Sequence, residues 1–153
     1  MPAGTFGVMT SEGPGKLTSD ELFNGKKVVL FAVPGAFTPA CSAKHLPGFI
    51  QNAGALKGKG VDTIACLSVN DVFVMGAWGK DQGAGDNVVL LADGNADYSK
   101  ALGLTLDASA FGMGTRSERF AIVVDNGVAT QVHREAAASD VKASSAENIL
   151  ANL

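Results

Sequence analysis

Six consecutive apolar residues, Val28 to Val33, follow Lys26-Lys27 and stop at Pro34. A strand with one wet face alternates apolar and polar residues. An unbroken, valine-rich run is instead a strand covered on both faces. Such a strand needs packed layers above and below it, and the segments around it read as those layers.

Thr5 to Thr10 reads as a short strand and Glu12-Gly13-Pro14-Gly15 as a turn, giving a hairpin that ends near Lys16-Leu17. Thr18-Ser19-Asp20-Glu21 caps a short helix through Phe23, stopped by Asn24-Gly25. After the Lys26–Val33 strand, Ser42 to Leu56 reads as a helix in which Pro47 should impose a kink. Val61 to Val69 is a strand. Asn70-Asp71 caps a helix through about Lys80, carrying Val72, Met75 and Trp78. Val88 to Ala92 is another buried strand, and Asp97 to Leu102 a short helix ended by Gly103. Thr105 to Thr115 reads as a glycine-broken loop. Arg119 to Asp125 and Val128 to Arg134 form a hairpin about Asn126-Gly127. The last helix is expected to start at Ser144, with Glu147 three residues on and Ile149, Leu150 and Leu153 on its apolar face. This alternation predicts one α/β domain over residues 1–153, three layers deep with a central mixed sheet. It is compatible with a thioredoxin-like fold and leaves flavodoxin-like topologies open.

The 153 residues are 46% hydrophobic and 18% charged, with a net charge of −3. That balance argues against non-specific nucleic-acid binding. No apolar run reaches the roughly 20 residues of a membrane span, and no secretory leader is visible. Two cysteines do not make a disulfide scaffold and suit a reducing, cytoplasmic setting, or an organelle if a leader has been removed. Two histidines and two cysteines at these spacings do not match a zinc site, and no GxGxxG or P-loop motif appears. Neither a metal nor a cofactor is expected.

Chemistry concentrates where the buried strand ends, in Val33-Pro34-Gly35-Ala36-Phe37-Thr38-Pro39-Ala40-Cys41-Ser42. Cys41 falls in or near the first turn of a helix, where backbone N–H groups and the helix dipole favour a thiolate. Thr38 is close enough in sequence for its hydroxyl to reach that sulfur or a substrate oxygen. Pro34 and Pro39 stiffen the loop. The alternative is an inert, buried cysteine. His45, four residues on, shares a helix face with Cys41 and is given a supporting role.

The stretch resembles the peroxiredoxin motif proline-x-x-x-threonine-x-x-cysteine, here Pro34, Thr38 and Cys41. The longer run through His45-Leu46-Pro47-Gly48-Phe49 is similar to the type II (type 5) subfamily. Leu67 to Asp71 with Phe73-Val74-Met75, and Arg116 to Phe120, extend the likeness from about Lys26 to the C-terminus. Against that family the chain's start is short, which leaves room for a missing or trimmed first strand.

The resemblance implies a thioredoxin-like fold and a cofactor-free thiol peroxidase acting on hydrogen peroxide and small alkyl hydroperoxides. Cys41 would be the nucleophile, passing through a sulfenic acid. The family's catalytic arginine aligns with Arg116, with Arg119 in support. Cys66, mid-strand and apolar, reads from its neighbours as a core thiol. Its 25-residue offset from Cys41 also makes it a candidate resolving thiol by likeness to plant type II members. Ala143-Ser144-Ser145 stands where animal-type members carry a resolving cysteine. The implied reductant is therefore external, glutathione with glutaredoxin, or thioredoxin. The likeness also implies a homodimer burying Phe37 and Phe73. A redox sensor or holdase using the same cysteine is the rival reading. A thioredoxin-like disulfide oxidoreductase is a weaker third, because no C-x-x-C pair is present.

Overall fold

The computed structural model describes residues 1–153. Its elements are β1 (Thr5–Thr10), β2 (Gly13–Thr18), α1 (Ser19–Phe23), β3 (Lys27–Val33), a π-helical turn (Cys41–His45) leading into α2 (Leu46–Gln51) and α3 (Ala53–Gly58), β4 (Thr63–Ser68), α4 (Val72–Gln82), β5 (Val89–Ala92), α5 (Asp97–Leu102), β6 (Thr105–Asp107), a 3₁₀ turn (Ser109–Phe111), β7 (Thr115–Ser117), β8 (Phe120–Asp125), β9 (Val128–Arg134) and α6 (Ala146–Asn152).

Seven strands form one mixed sheet in the order β2-β1-β5-β4-β3-β8-β9. β3, β4 and β5 are parallel, while β1 and β8 run against them. The unbroken apolar run lies near the sheet's centre with every residue from Val28 to Val33 buried. Alternation sorts its side chains. Val29, Phe31 and Val33 join a core under α2, α3, α4 and α6, with Cys66, Phe49, Trp78 and Ile149. Val28, Leu30 and Ala32 join a second core on the opposite face, with Leu22, Phe23 and Tyr98. β8 divides the same way, Ala121 and Val123 to the first core and Phe120, Ile122 and Val124 to the second. The period of two along each strand thus produces the three layers.

Local signals account for most element ends. Thr18 and Glu21 complete a reciprocal capping box on α1, and Asp71 caps α4 by accepting from Val74 N. Four expectations change in detail. The first hairpin turns two residues earlier, at Ser11-Glu12, so Gly13-Pro14-Gly15 lies in β2. Pro14 is tolerated there because β2 is an edge strand. Thr105 to Thr115 is not all loop, since β6 and β7 pair into a two-stranded ribbon. Ser145, not Ser144, caps the last helix, because the Ser144 hydroxyl is already bonded to Glu135.

The fourth change concerns the helix after β3. It begins at Pro39 and widens to a π turn over Cys41–His45, where Leu46 N bonds Cys41 O. Pro47 has no N–H to give and its ring excludes the carbonyl one turn back. The distortion expected at Pro47 is thus a widened turn just before it, and that turn contains Cys41. Phe49, in α2, stacks on Phe31 with ring centroids 4.0 Å apart and an 8° interplanar angle, which fixes the helix against β3. Replacing this buried ring should leave a void that the sheet cannot close. Phe49→Ala is expected to lower the unfolding free energy by about 3–5 kcal/mol, read from urea denaturation with an unchanged m-value.

Candidate active site

Three chain segments meet at Cys41. The loop leaving β3 is held by Asn70, whose Oδ1 accepts from Ala36 N at 3.0 Å and from Ser68 Oγ at 2.6 Å. Within the loop, Thr38 Oγ1 donates to Gly35 O at 2.6 Å. The Thr38 proton is therefore engaged, and its oxygen presents lone pairs, not a donor, to an incoming group. Phe37 adopts φ 62°, a left-handed conformation that costs energy for a bulky residue and persists where the surroundings enforce it. Pro34 is buried at the loop's root. Trp78 Nε1 donates to Ser42 Oγ at 3.0 Å, tying α4 to the residue after the cysteine. Cys41 itself is fully buried on the helix-rich face of the sheet.

The arginine at this sulfur is Arg119. Its Nη2 donates to Cys41 Sγ at 3.0 Å, Nη1 to His45 Nδ1 at 2.8 Å and Nε to Ala138 O at 2.9 Å. Arg116, expected to hold this position, instead donates from Nη1 to Val69 O and from Nε to Met113 O, each at 2.9 Å. Direct contact with Cys41, expected of Arg116 with Arg119 in support, thus belongs to Arg119. The reason is parity. Arg119 lies two residues before Ala121 and four before Val123, both on the face that carries Cys41. Arg116 lies outside this alternation, in β7 of the separate ribbon, with its guanidinium at the end of β4 and against Gly35 of the loop; the parity belongs to Arg119. That parity was readable in the sequence.

Arg119 is 3% exposed, yet no carboxylate lies within ion-pair distance. The single ion pair of the molecule is Arg134–Glu118, on the surface at 2.7 Å. A buried guanidinium without a counter-ion is costly. Here its donors face a sulfur, an imidazole nitrogen and a carbonyl.

His45 is the link behind the arginine. Its Nε2 lies 3.0 Å from Ser144 O. A carbonyl only accepts, so Nε2 carries the proton and Nδ1 is the bare acceptor for Arg119. Burial, and then the Arg119 charge, hold its pKa down to about 3. Glu135, which sequence reasoning did not single out, anchors the loop bearing Ser144. Burial pushes its carboxyl up, but hydrogen bonds from the Ser144 side chain and from the backbone of Ser144, Lys142 and Ala143 outweigh this and hold it below the usual range. Cys66 sits mid-strand in β4 between Phe31 and Leu90, fully buried. Burial, and then the Cys41 charge, raise its thiol well above the ordinary range, with Arg119 opposing. Both cysteines are free.

The comparisons with known proteins bear on family and fold. The redoxin family pattern matches residues 1–150. Peroxiredoxin-2B of Arabidopsis thaliana is 52% identical over 126 residues, covering 82% of this chain and 77% of that one. The chain is a type II peroxiredoxin. The chloroplastic peroxiredoxin-2E of Arabidopsis thaliana is 52% identical over 136 residues, 88% of this peroxiredoxin. The chain spans only 58% of that relative's length. Among solved structures, reduced Prx3 from Vibrio vulnificus in complex with hydrogen peroxide superposes with a TM-score of 0.93 at 54% identity, covering 99% of this chain and 94% of that one. The thioredoxin-like α/β fold expected of the family is the fold described above. No helix of this peroxiredoxin is long and apolar enough to cross a membrane.

His45 makes stability pH-dependent. Folded, it stays neutral down to about 3; unfolded, it takes up a proton near 6.5. Between those values the unfolded chain binds more protons, so stability falls as pH falls. Glu135 acts in the same direction, but only below the ordinary carboxyl value of 4.5. Urea unfolding from pH 6.5 to about 5 should therefore show a slope, and His45→Asn should remove it. An equal slope in both proteins would assign it elsewhere.

Proposed function

We propose that this chain is a thiol-dependent peroxidase for hydrogen peroxide and small alkyl hydroperoxides, with Cys41 as nucleophile. The supporting observation is the buried guanidinium of Arg119, which donates to Cys41 Sγ and has no carboxylate partner. A thiolate is the one anion this site can supply, and a fixed donor beside the sulfur stabilises it.

In the proposed reaction the thiolate attacks the outer peroxide oxygen. The S–O bond forms, the O–O bond breaks, and the electron pair leaves with the inner oxygen. That oxygen takes a proton and departs as water or alcohol, while Cys41 is oxidised to a sulfenic acid. Negative charge spreads along S–O–O, so donors fixed beside that line lower the barrier. Arg119 Nη2 fills this role. Thr38, its own proton engaged, accepts from the peroxide proton and orients it. Pro34 shapes the loop and Arg116 clamps it through Val69. Four clefts of the surface, with volumes from about 180 to about 440 Å³, do not include Cys41, Thr38 or Arg119. A substrate with two heavy atoms at its reactive end needs no large cavity.

An external thiol then attacks the sulfenic sulfur, releasing water and forming a mixed disulfide. A second thiol frees Cys41. Glutathione with glutaredoxin, or thioredoxin, are the proposed donors, because Cys66 is held as a buried neutral thiol in the middle of the sheet. A reducing compartment, cytoplasmic or organellar, follows from that scheme. Phe37, Phe73 and Phe111 stand 53%, 64% and 82% exposed on the segments that follow β3, begin α4 and precede β7. They support a homodimer that covers this end of the sheet.

Peroxide consumption with excess glutathione and glutaredoxin tests the scheme. Cys41→Ser should abolish turnover. Arg119→Met should lower the rate with hydrogen peroxide about 100-fold or more, the usual loss when a transition-state donor is removed. Arg116→Met should cost less than about 10-fold, its contact being to backbone carbonyls. A greater loss at Arg116 would return the catalytic role to that residue. Cys66→Ala should keep cycling, and a folded but inactive Cys66→Ala would defeat the external-reductant step. A sensor would stall after one oxidation instead of turning over.

A further inference from the structure

One buried carboxylate lies behind the site without touching Cys41. Glu135 follows β9 directly and is 9% exposed. No cation pairs with it. Its Oε2 accepts from Lys142 N and Ser144 N, both at 2.8 Å, and from Ser144 Oγ. Its Oε1 accepts from Ala143 N at 3.2 Å, and its own N–H donates to Arg119 O at 3.1 Å. The whole charge is thus directed at a segment that has no helix or strand of its own.

That segment returns two carbonyls to the site. Ala138 O accepts from Arg119 Nε, and Ser144 O accepts from His45 Nε2. We propose that Glu135 is a positioning residue for Arg119, acting through the 138–144 segment and the tautomer of His45. A neutral imidazole can carry its proton on either nitrogen. With Ser144 O in place the proton is drawn to Nε2, and Nδ1 faces Arg119 Nη1 as an acceptor. With Ser144 O displaced, the other tautomer becomes available. It would aim an N–H at the Nη1 donor and turn the guanidinium fork away from the sulfur. Glu135 sets which nitrogen holds the proton, and the tautomer sets where Nη2 points.

The kinetic consequence rests on the peroxidase reading above, whereas the tautomer can be read without it. Glu135→Gln keeps the length of the side chain but turns an N–H towards one set of backbone donors. In reduced protein, ¹⁵N NMR of the His45 ring, identified by its loss in His45→Asn, should show a slowly exchanging Nε2–H in the parent chain. Glu135→Gln should lose that signal. The rate with hydrogen peroxide should fall about 10- to 100-fold, the scale of a misplaced catalytic group. Alkylation of Cys41 by iodoacetamide should slow as well, because the donor that stabilises the thiolate has moved.

A folded Glu135→Gln with the His45 signal and the peroxide rate intact, and only a lower melting temperature, would make Glu135 a structural staple and overturn the proposal. If Glu135→Gln does not fold, Glu135→Asp applies the same test. It keeps the charge but draws the segment back by one methylene, and an unmoved His45 signal there overturns the proposal equally. If the parent chain consumes no hydroperoxide yet Glu135→Gln loses the His45 signal, the positioning role stands and the peroxidase reading falls.

Discussion

A guanidinium almost sealed from water is the constraint around which the rest of this molecule is arranged. Arg119 cannot give up its proton in a protein, so its charge must be met by fixed groups. The chain meets it with the sulfur of Cys41, the bare nitrogen of His45 and the carbonyl of Ala138. These come from the turn after β3, from the same turn one helical repeat on, and from the segment after β9. An arrangement drawing on such distant parts of the chain exists only in the folded protein. The sulfur is the most polarisable of the three partners and the only one that can become an anion while remaining in contact. Structure and reactivity therefore converge on the same atom.

The sheet brings these groups together through parity. β3 and β8 are paired neighbours, with Phe31 opposite Ala121. Val33 points to the helix-rich face at the end of β3, and Arg119 reaches that face from the residue just before β8. The antiparallel pairing places both at one end of the sheet. The π turn then matters for a steric reason. Pro47 cannot follow a regular α-helical turn without conflict, and the added width falls on Cys41–His45. Both side chains are buried on the same core. Phe31 makes aromatic contacts with Phe49 and with His45, at centroid distances of 4.0 and 4.9 Å, so the imidazole is held from below as well as from its two nitrogens.

Much of this was legible in the sequence, and the parts that were not share a cause. The buried run of β3, the capping residues Thr18 and Asp71 and the Asn126-Gly127 turn act within a few residues, and each appears where expected. The Pro34-Thr38-Cys41 loop was also legible, because its meaning is local. What escaped was long-range. Nothing near Glu135 in the chain announces that it binds Ser144. The Ser144 hydroxyl is committed to Glu135 across nine residues, which leaves the helix cap to Ser145. The exchange between Arg116 and Arg119 is different in kind. Alternation along Arg119, Ala121 and Val123 puts Arg119 on the face of Cys41, a cue carried by the strand period and not by the motif.

The same reasoning separates the two cysteines. Both are fully buried, so burial alone does not tell them apart. They differ in what is built to face them. Cys66 lies between neighbouring strands, with Phe31 on one side and Leu90 on the other, and has no hydrogen-bond donor aimed at its sulfur. Cys41 has a charged donor at 3.0 Å whose other contacts are fixed by His45 and a backbone carbonyl. An ionised Cys41 would also oppose ionisation of Cys66, since each thiolate raises the cost of the next in a shared low-dielectric core. The arrangement that favours charge on one sulfur thus disfavours it on the other. That asymmetry is the ground on which the proposed outside reductant rests, independently of any count of cysteines.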